Sequence, residues 1–111
     1  ESIEIEYENL KTGKISPQDY ISVTEVTSSQ VTMQISEFVT SKPSEEWQTS
    51  YINYMEALKS FNSHIVETKV LAKMIENENT EDEMNETLEK IDMLKSESIE
   101  FVKMSDQSRP G

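Results

Sequence analysis

The scarcity of chain-breaking residues constrains this chain more than any other feature of its sequence. Only two glycines and three prolines occur in 111 residues. A β-sandwich or barrel needs a turn about every ten residues, and glycine and proline supply most such turns. We therefore predict an all-α fold, an antiparallel three-helix bundle with a possible short helix at its N-terminus. At this length we expect a single domain.

Three capping sequences predict where the long helices start. Ser16 is a suitable N-cap and is followed by Pro17 at the first helical position. Ser44 precedes two glutamates, which the helix dipole favours in a first turn. Thr80 and Glu83 have the spacing of a capping box. We predict helices over roughly 17–40, 45–76 and 81–104, a bundle spanning 16–104 and a flexible tail over 105–111.

Residues 1–15, the N-terminal extension, allow two interpretations. The stretch "SIEIEYE" alternates as a half-buried strand does, whereas Ile3, Tyr7 and Leu10, followed by Gly13, fit a short helix with a glycine C-cap. Glutamates lie early in this stretch and Lys11 lies late, which complements a helix dipole. We favour the short helix.

Apolar periodicity predicts one core-facing side for each long helix. On the second helix, alternating steps of four and three residues give a heptad-like seam. The seam comprises Trp47, Tyr51, Tyr54, Leu58, Phe61, Ile65, Thr68, Ala72 and Ile75. The first helix presents Tyr20, Thr24, Val31, Ile35 and Phe38. The third presents Met84, Leu88, Ile91, Leu94, Ile99 and Val102.

A second apolar stripe on the second helix is the predicted partner-binding site. Its members are Ile52, Met55, Val66, Val70 and Met74. A central helix touches two neighbours, and that alone can account for two stripes. Alternatively, part of the stripe stays exposed as a surface for a protein partner or for self-association. We place function on this surface.

The aromatic residues at the start of the same helix suggest an alternative function. Trp47, Tyr51 and Tyr54 share helical spacing, and aromatic residues so spaced more often pack in a core than bind a ligand. If they instead line a slot at the open end of the bundle, the protein is a small-molecule sensing or carrier bundle.

Composition argues against several functional classes. Ten basic residues against 22 acidic ones give a net charge of −12, which disfavours binding to nucleic acid or to anionic lipid. There is no cysteine, no glycine-rich phosphate loop and no apolar run long enough to span a bilayer. His64 is the only histidine, and we expect it at a helix boundary, facing solvent or a neighbouring helix. We predict no enzyme activity, catalytic residue, cofactor or metal site.

The order of features along the chain resembles small helical domains of exported lipoproteins in Gram-positive bacteria. The resemblance covers roughly residues 17–104 and rests on a Ser/Thr-rich first helix, the turn "SKPSEEW" and the helix start "TEDEM". It implies an extracellular or cell-surface location, with a lipid tether upstream of this chain; the alternative is a cytoplasmic location. Together these features predict a non-enzymatic interaction module that presents a helix face to a protein partner.

Overall fold

The computed structural model describes residues 2–111, and within that range it is all-helical, with no strand. Four helices pack together: α1 (Ile3–Lys11), α2 (Pro17–Thr40), α3 (Gln48–Glu76) and α4 (Glu81–Gln107). A single 3₁₀ turn, Glu45–Trp47, precedes α3. The all-α prediction is confirmed. The short N-terminal helix is also confirmed, with Gly13 at φ +78° just beyond its end.

Two of the three predicted helix starts use the predicted capping bonds. The Ser16 hydroxyl accepts a hydrogen bond from the Asp19 N–H at 3.1 Å. Thr80 and Glu83 form a complete capping box, in which each side chain accepts from the other residue's backbone N–H at 3.2 and 2.7 Å. The second start differs, because the Ser44 side chain makes no capping bond and regular α-helix begins only at Gln48.

The helix α3 is the element on which the fold is organised. Both α2 and α4 pack along α3, whereas α2 and α4 barely touch one another, and α1 packs on α2. Tyr20 of α2 is completely buried, and its hydroxyl donates to Thr68 Oγ1 of α3 at 2.8 Å. Burial raises the pKa of Tyr20 to about 12. The phenol is therefore neutral and serves as a hydrogen-bond donor within the core.

Small residues at seven-residue intervals form the contact between α3 and α4, which we call the α3–α4 seam. All of its members are buried. The seam consists of Ser50, Ala57 and His64 on α3 and of Ile91, Ser98 and Ser105 on α4. Serine and alanine occupy four of these six positions, so the two backbones approach closely there. Helix pairs in which small residues face each other pack in this way.

Hydrogen bonds from side chains to backbone carbonyls cross the seam at each level. The Ser50 and Ser105 hydroxyls each donate to the other residue's carbonyl oxygen, both at 2.8 Å. Ser98 Oγ donates to the Ala57 carbonyl at 2.9 Å. His64 Nδ1 lies 2.9 Å from the Ile91 carbonyl, and since a carbonyl only accepts, Nδ1 carries the proton. The buried polar groups of the seam are thus satisfied across the helix pair.

Three predictions made from the sequence were wrong, two about side chains and one about where the C-terminal tail begins. His64 is not at a helix boundary: it lies in the middle of α3 and is only 5% exposed. Ile99 and Val102, assigned to the core face of the third helix, are exposed, because α4 turns its seam residues toward α3 instead. The tail does not begin at residue 105, since α4 continues to Gln107 and Ser105 is buried in the seam.

We expect Ser98→Leu to destabilise the protein by roughly 1–3 kcal/mol, although it adds apolar surface. The larger side chain forces apart two closely packed helices, and the hydrogen bond to Ala57 is lost. Ser96→Leu, two residues away on the exposed side of the same helix, is the matched control. Guanidinium denaturation of both variants measures the free energy of unfolding. Equal stability of the two variants would contradict close packing at the seam.

Candidate interaction surface

An open apolar groove of about 440 Å³ lies where α2 ends and α3 begins, and we call it the α2–α3 groove. The chain leaves α2 because Ser41 is extended (φ −70°, ψ 144°), and Pro43 then disfavours a return to helix for the residue before it. The apolar lining residues are Phe38, Val39, Pro43, Tyr51, Ile52 and Met55, and Ser41, Lys42 and Gln48 add polar groups.

Aromatic contacts fix the inner wall of the groove, while its edges are exposed. The Phe38 ring packs edge-on against Tyr51, with ring centroids 5.3 Å apart, and lies 5.2 Å from Tyr54. Val39 and Ile52 are 65% and 55% exposed. Two large aliphatic side chains are thus in water beside a preformed concave apolar surface. Such a surface is typical of a binding site.

The predicted partner-binding stripe is only partly continuous in the structure. Ile52 and Met55 line the α2–α3 groove, and Val66 and Val70 are exposed further along α3. Exposed Lys59 and Ser63 lie between these pairs, so the stripe forms two apolar patches.

The last member of the stripe, Met74, is partly buried at α4, with its Sδ 3.5 Å from Thr87 Oγ1. The contact of α3 with α4 runs through the seam residues and leaves Ile52, Val66 and Val70 exposed, while Met55 is partly buried. Contact with two neighbouring helices therefore does not account for the whole stripe.

The three aromatic residues of the alternative ligand slot do not share one cavity. Tyr51 lines the α2–α3 groove, and Tyr54 lines a different depression, which also involves α4. Trp47 is partly buried and lines neither. The heptad-like seam predicted from Trp47 to Ile75 is a different set of residues from the α3–α4 seam. Its fully buried members lie in its C-terminal half, at Ile65, Thr68 and Ala72.

The sequence-based prediction missed the side of the groove that α2 and the following loop form. Val39 and Pro43 lie outside the stripe because they belong to α2 and to the following loop. A usable signal was present, since Val39 follows Phe38 next to a proline turn, and a second apolar residue there cannot share the buried side of Phe38. Helical periodicity within one element could not show that this residue lies opposite Ile52.

His64 is a titratable group buried between α3 and α4. Burial lowers its pKa from the ordinary value of 6.5, and the repulsion of Lys95 acts in the same direction. The hydrogen bond to the Ile91 carbonyl and the charges of Glu4 and Asp92 oppose the shift. The imidazole ring stacks on the Phe61 ring, with the two ring centroids 5.9 Å apart. This neutral, hydrogen-bonded histidine holds the helix pair together.

Within residues 2–111, no three histidine, aspartate or glutamate side chains are grouped so as to hold a metal ion. Over the same residues, none of the helices combines the length and the apolar character needed to cross a membrane. No protein-family model, curated protein or solved structure gives a significant match to the chain.

We expect the stability advantage of the wild type over His64→Gln to shrink as the pH falls below about 6.5. The folded-state pKa lies below the unfolded-state value, so the unfolded chain binds the proton first. Neutral His64 contributes its full share to the free energy of unfolding when the pH is above the unfolded-state pKa. This share decreases on acidification, by at most about 1.4 kcal/mol per pH unit.

Urea denaturation of both proteins at about pH 8 and about pH 5.5, at constant salt, measures this difference. Most carboxylates titrate below this window, and both proteins share them. A difference in unfolding free energy that stays constant with pH would contradict the buried, neutral state of His64.

Proposed function

We propose that this protein is a non-enzymatic interaction module that receives apolar side chains of a protein partner in the α2–α3 groove. The observation that carries the proposal is the pair of exposed aliphatic residues, Val39 and Ile52, at the edges of one preformed apolar groove. Isolated exposed hydrophobic side chains are common on folded proteins, but these two lie at the edges of the same concave apolar surface. Exposed aliphatic groups that converge on a concavity are best explained by a partner that covers them.

Charge favours a partner that is a different, basic protein rather than a second copy of this chain. Each copy carries a net charge of −12, so two copies repel one another at moderate salt. A basic partner is instead attracted over a distance, and its encounter rate falls as salt is added. Affinity then comes from the apolar contacts in the groove and selectivity from the charge.

We further propose that the three long helices form an antiparallel bundle. The contacts across the seam support this arrangement, because positions advance on α3 while they recede on α4. The pairs are 50 with 105, 57 with 98, and 64 with 91. Contacts between α2 and α3 follow the same trend: Tyr20 meets Thr68 near one end and Phe38 meets Tyr51 near the other. The groove then lies at the turn end of the α2–α3 pair.

The proposed location is the cell surface, as an exported domain held by a lipid tether. The support for it is the resemblance in helix order and in the "SKPSEEW" turn. Cell fractionation and surface proteolysis of the full-length protein in its own host test it. Recovery in the cytoplasmic fraction alone would overturn it.

A small-molecule carrier is the second candidate, and one observation favours it. Tyr51 brings an aromatic face and a hydroxyl to a groove of about 440 Å³, which is within the size range of ligand pockets. A screen of small apolar metabolites by melting temperature, comparing wild type with Tyr51→Ala, tests it. The carrier is excluded if no compound raises the melting temperature of the wild type more than that of Tyr51→Ala.

We expect the double variant Val39→Glu/Ile52→Glu to lose the partner while its helicity and melting temperature remain near those of the wild type. Both positions are exposed, so the charges cost little in the free protein but would be buried in a complex. The matched control is Val26→Glu/Met93→Glu, which changes the charge equally at positions 60% and 57% exposed.

Affinity capture from the native host, followed by titration of the purified candidate, compares the three proteins. The expected result is a basic protein that binds the wild type and the control but binds the groove variant at least tenfold more weakly. Equal binding to both variants would overturn the groove as the site. Light scattering that shows a wild-type dimer, lost in the groove variant, would replace the basic partner with a second copy.

A further inference from the structure

A long trough runs between α2 and α4, with α3 as its floor. It exists because α2 and α4 both pack on α3 but barely touch one another. We call it the central trough. Its two ends differ, since one is covered by another element of the chain and the other is not.

The helix α1 covers the end of the trough near Tyr20 and Ala72. Leu10 of α1 is buried in a cluster with these two residues, and Ile3 and Tyr7 pack against that cluster. The Tyr7 ring lies 6.3 Å from the Tyr20 ring. Three apolar side chains at positions i, i+4 and i+7 of a short helix thus cover this end on the α2 side, and a depression of about 240 Å³ remains between α1 and α4. The covered end shows which kind of element the trough accepts.

The other end of the trough is open. Val31 and Gln34 of α2 and Val102 of α4 form its walls, and Tyr54, Leu58 and Phe61 of α3 form its floor. The depression has a volume of about 260 Å³, and Tyr54 and Val102 remain 40% and 38% exposed. The floor from Tyr54 to Phe61 is two helical turns, about 10 Å long. An element docked here needs only two or three turns of helix.

We propose that the open end of the central trough binds a short, basic, amphipathic helix of another protein, as α1 covers the first end. Aromatic and aliphatic side chains line the open end, as they do where α1 packs, and the net charge of −12 favours a basic polar face on the partner. The α1 helix of a second copy fits less well, because α1 carries three glutamates and one lysine. This surface is distinct from the α2–α3 groove and uses different side chains.

A synthetic three-turn peptide tests the proposal, with Ile, Tyr and Leu at i, i+4 and i+7 and lysines on its other faces. Fluorescence anisotropy at about 150 mM salt measures its binding to the whole chain. We expect saturable binding to the wild type, weakened at least tenfold by Val102→Glu and changed less than about twofold by Met93→Glu. Both variants add the same charge to α4, so unspecific attraction of a basic peptide would strengthen both alike.

A second measurement does not depend on a charge within the trough. The chain contains no cysteine, so Gln34→Cys places a single thiol on the trough wall, and Met93→Cys places one elsewhere on the surface. We expect the emission of a fluorophore at position 34 to change when the peptide binds, and the emission of one at position 93 to stay constant.

Three results would overturn the proposal. The first is no saturable binding to the wild type. The second is a label response that is equal at the two positions. The third is equal binding of a peptide in which glutamate replaces each lysine.

Discussion

The close contact of α3 with α4 is the interaction on which the rest of the structure depends. Small side chains at seven-residue intervals let the two backbones approach, and each buried hydroxyl then reaches a carbonyl on the opposite helix. A buried hydroxyl without a partner would cost on the order of 1–3 kcal/mol, so the seam favours one register of the two helices. Within residues 2–111, every buried side-chain nitrogen or oxygen has a hydrogen-bond partner.

The seam also explains why the molecule keeps exposed apolar surface. Because α4 is drawn against the side of α3 that carries Ser50 and Ala57, α2 packs elsewhere on α3, and the two outer helices stay apart. The short helix α1 covers one end of the resulting trough and leaves Tyr54 and Val102 exposed at the other. The α2–α3 groove has a separate origin in the proline turn after α2. Both surfaces are concave and apolar, set in a strongly acidic protein.

His64 shows how tertiary context decides what a residue does. Its Nδ1–H donates to the Ile91 carbonyl, its ring stacks on Phe61, and burial holds it neutral. It takes the place that serine and alanine occupy at the other levels of the seam, where it bonds a carbonyl as the serines do. A lone histidine in a sequence suggests chemistry, whereas this one is a structural donor.

Local sequence signals determined the helices, because capping and periodicity act within a few residues. Ser16 and the Thr80–Glu83 box specify two helix starts, and the scarcity of glycine and proline allows helices of 24 to 29 residues. Ile99 and Val102 were assigned to the core because periodicity shows that a face is apolar but not which neighbour covers it. The seam, the proximity of Val39 to Ile52 and the open end of the trough were decided only by the tertiary structure. Each depends on where another part of the chain lies. The close packing of small residues places α4 against α3, whereas the turn at Pro43 places the end of α2 beside the start of α3.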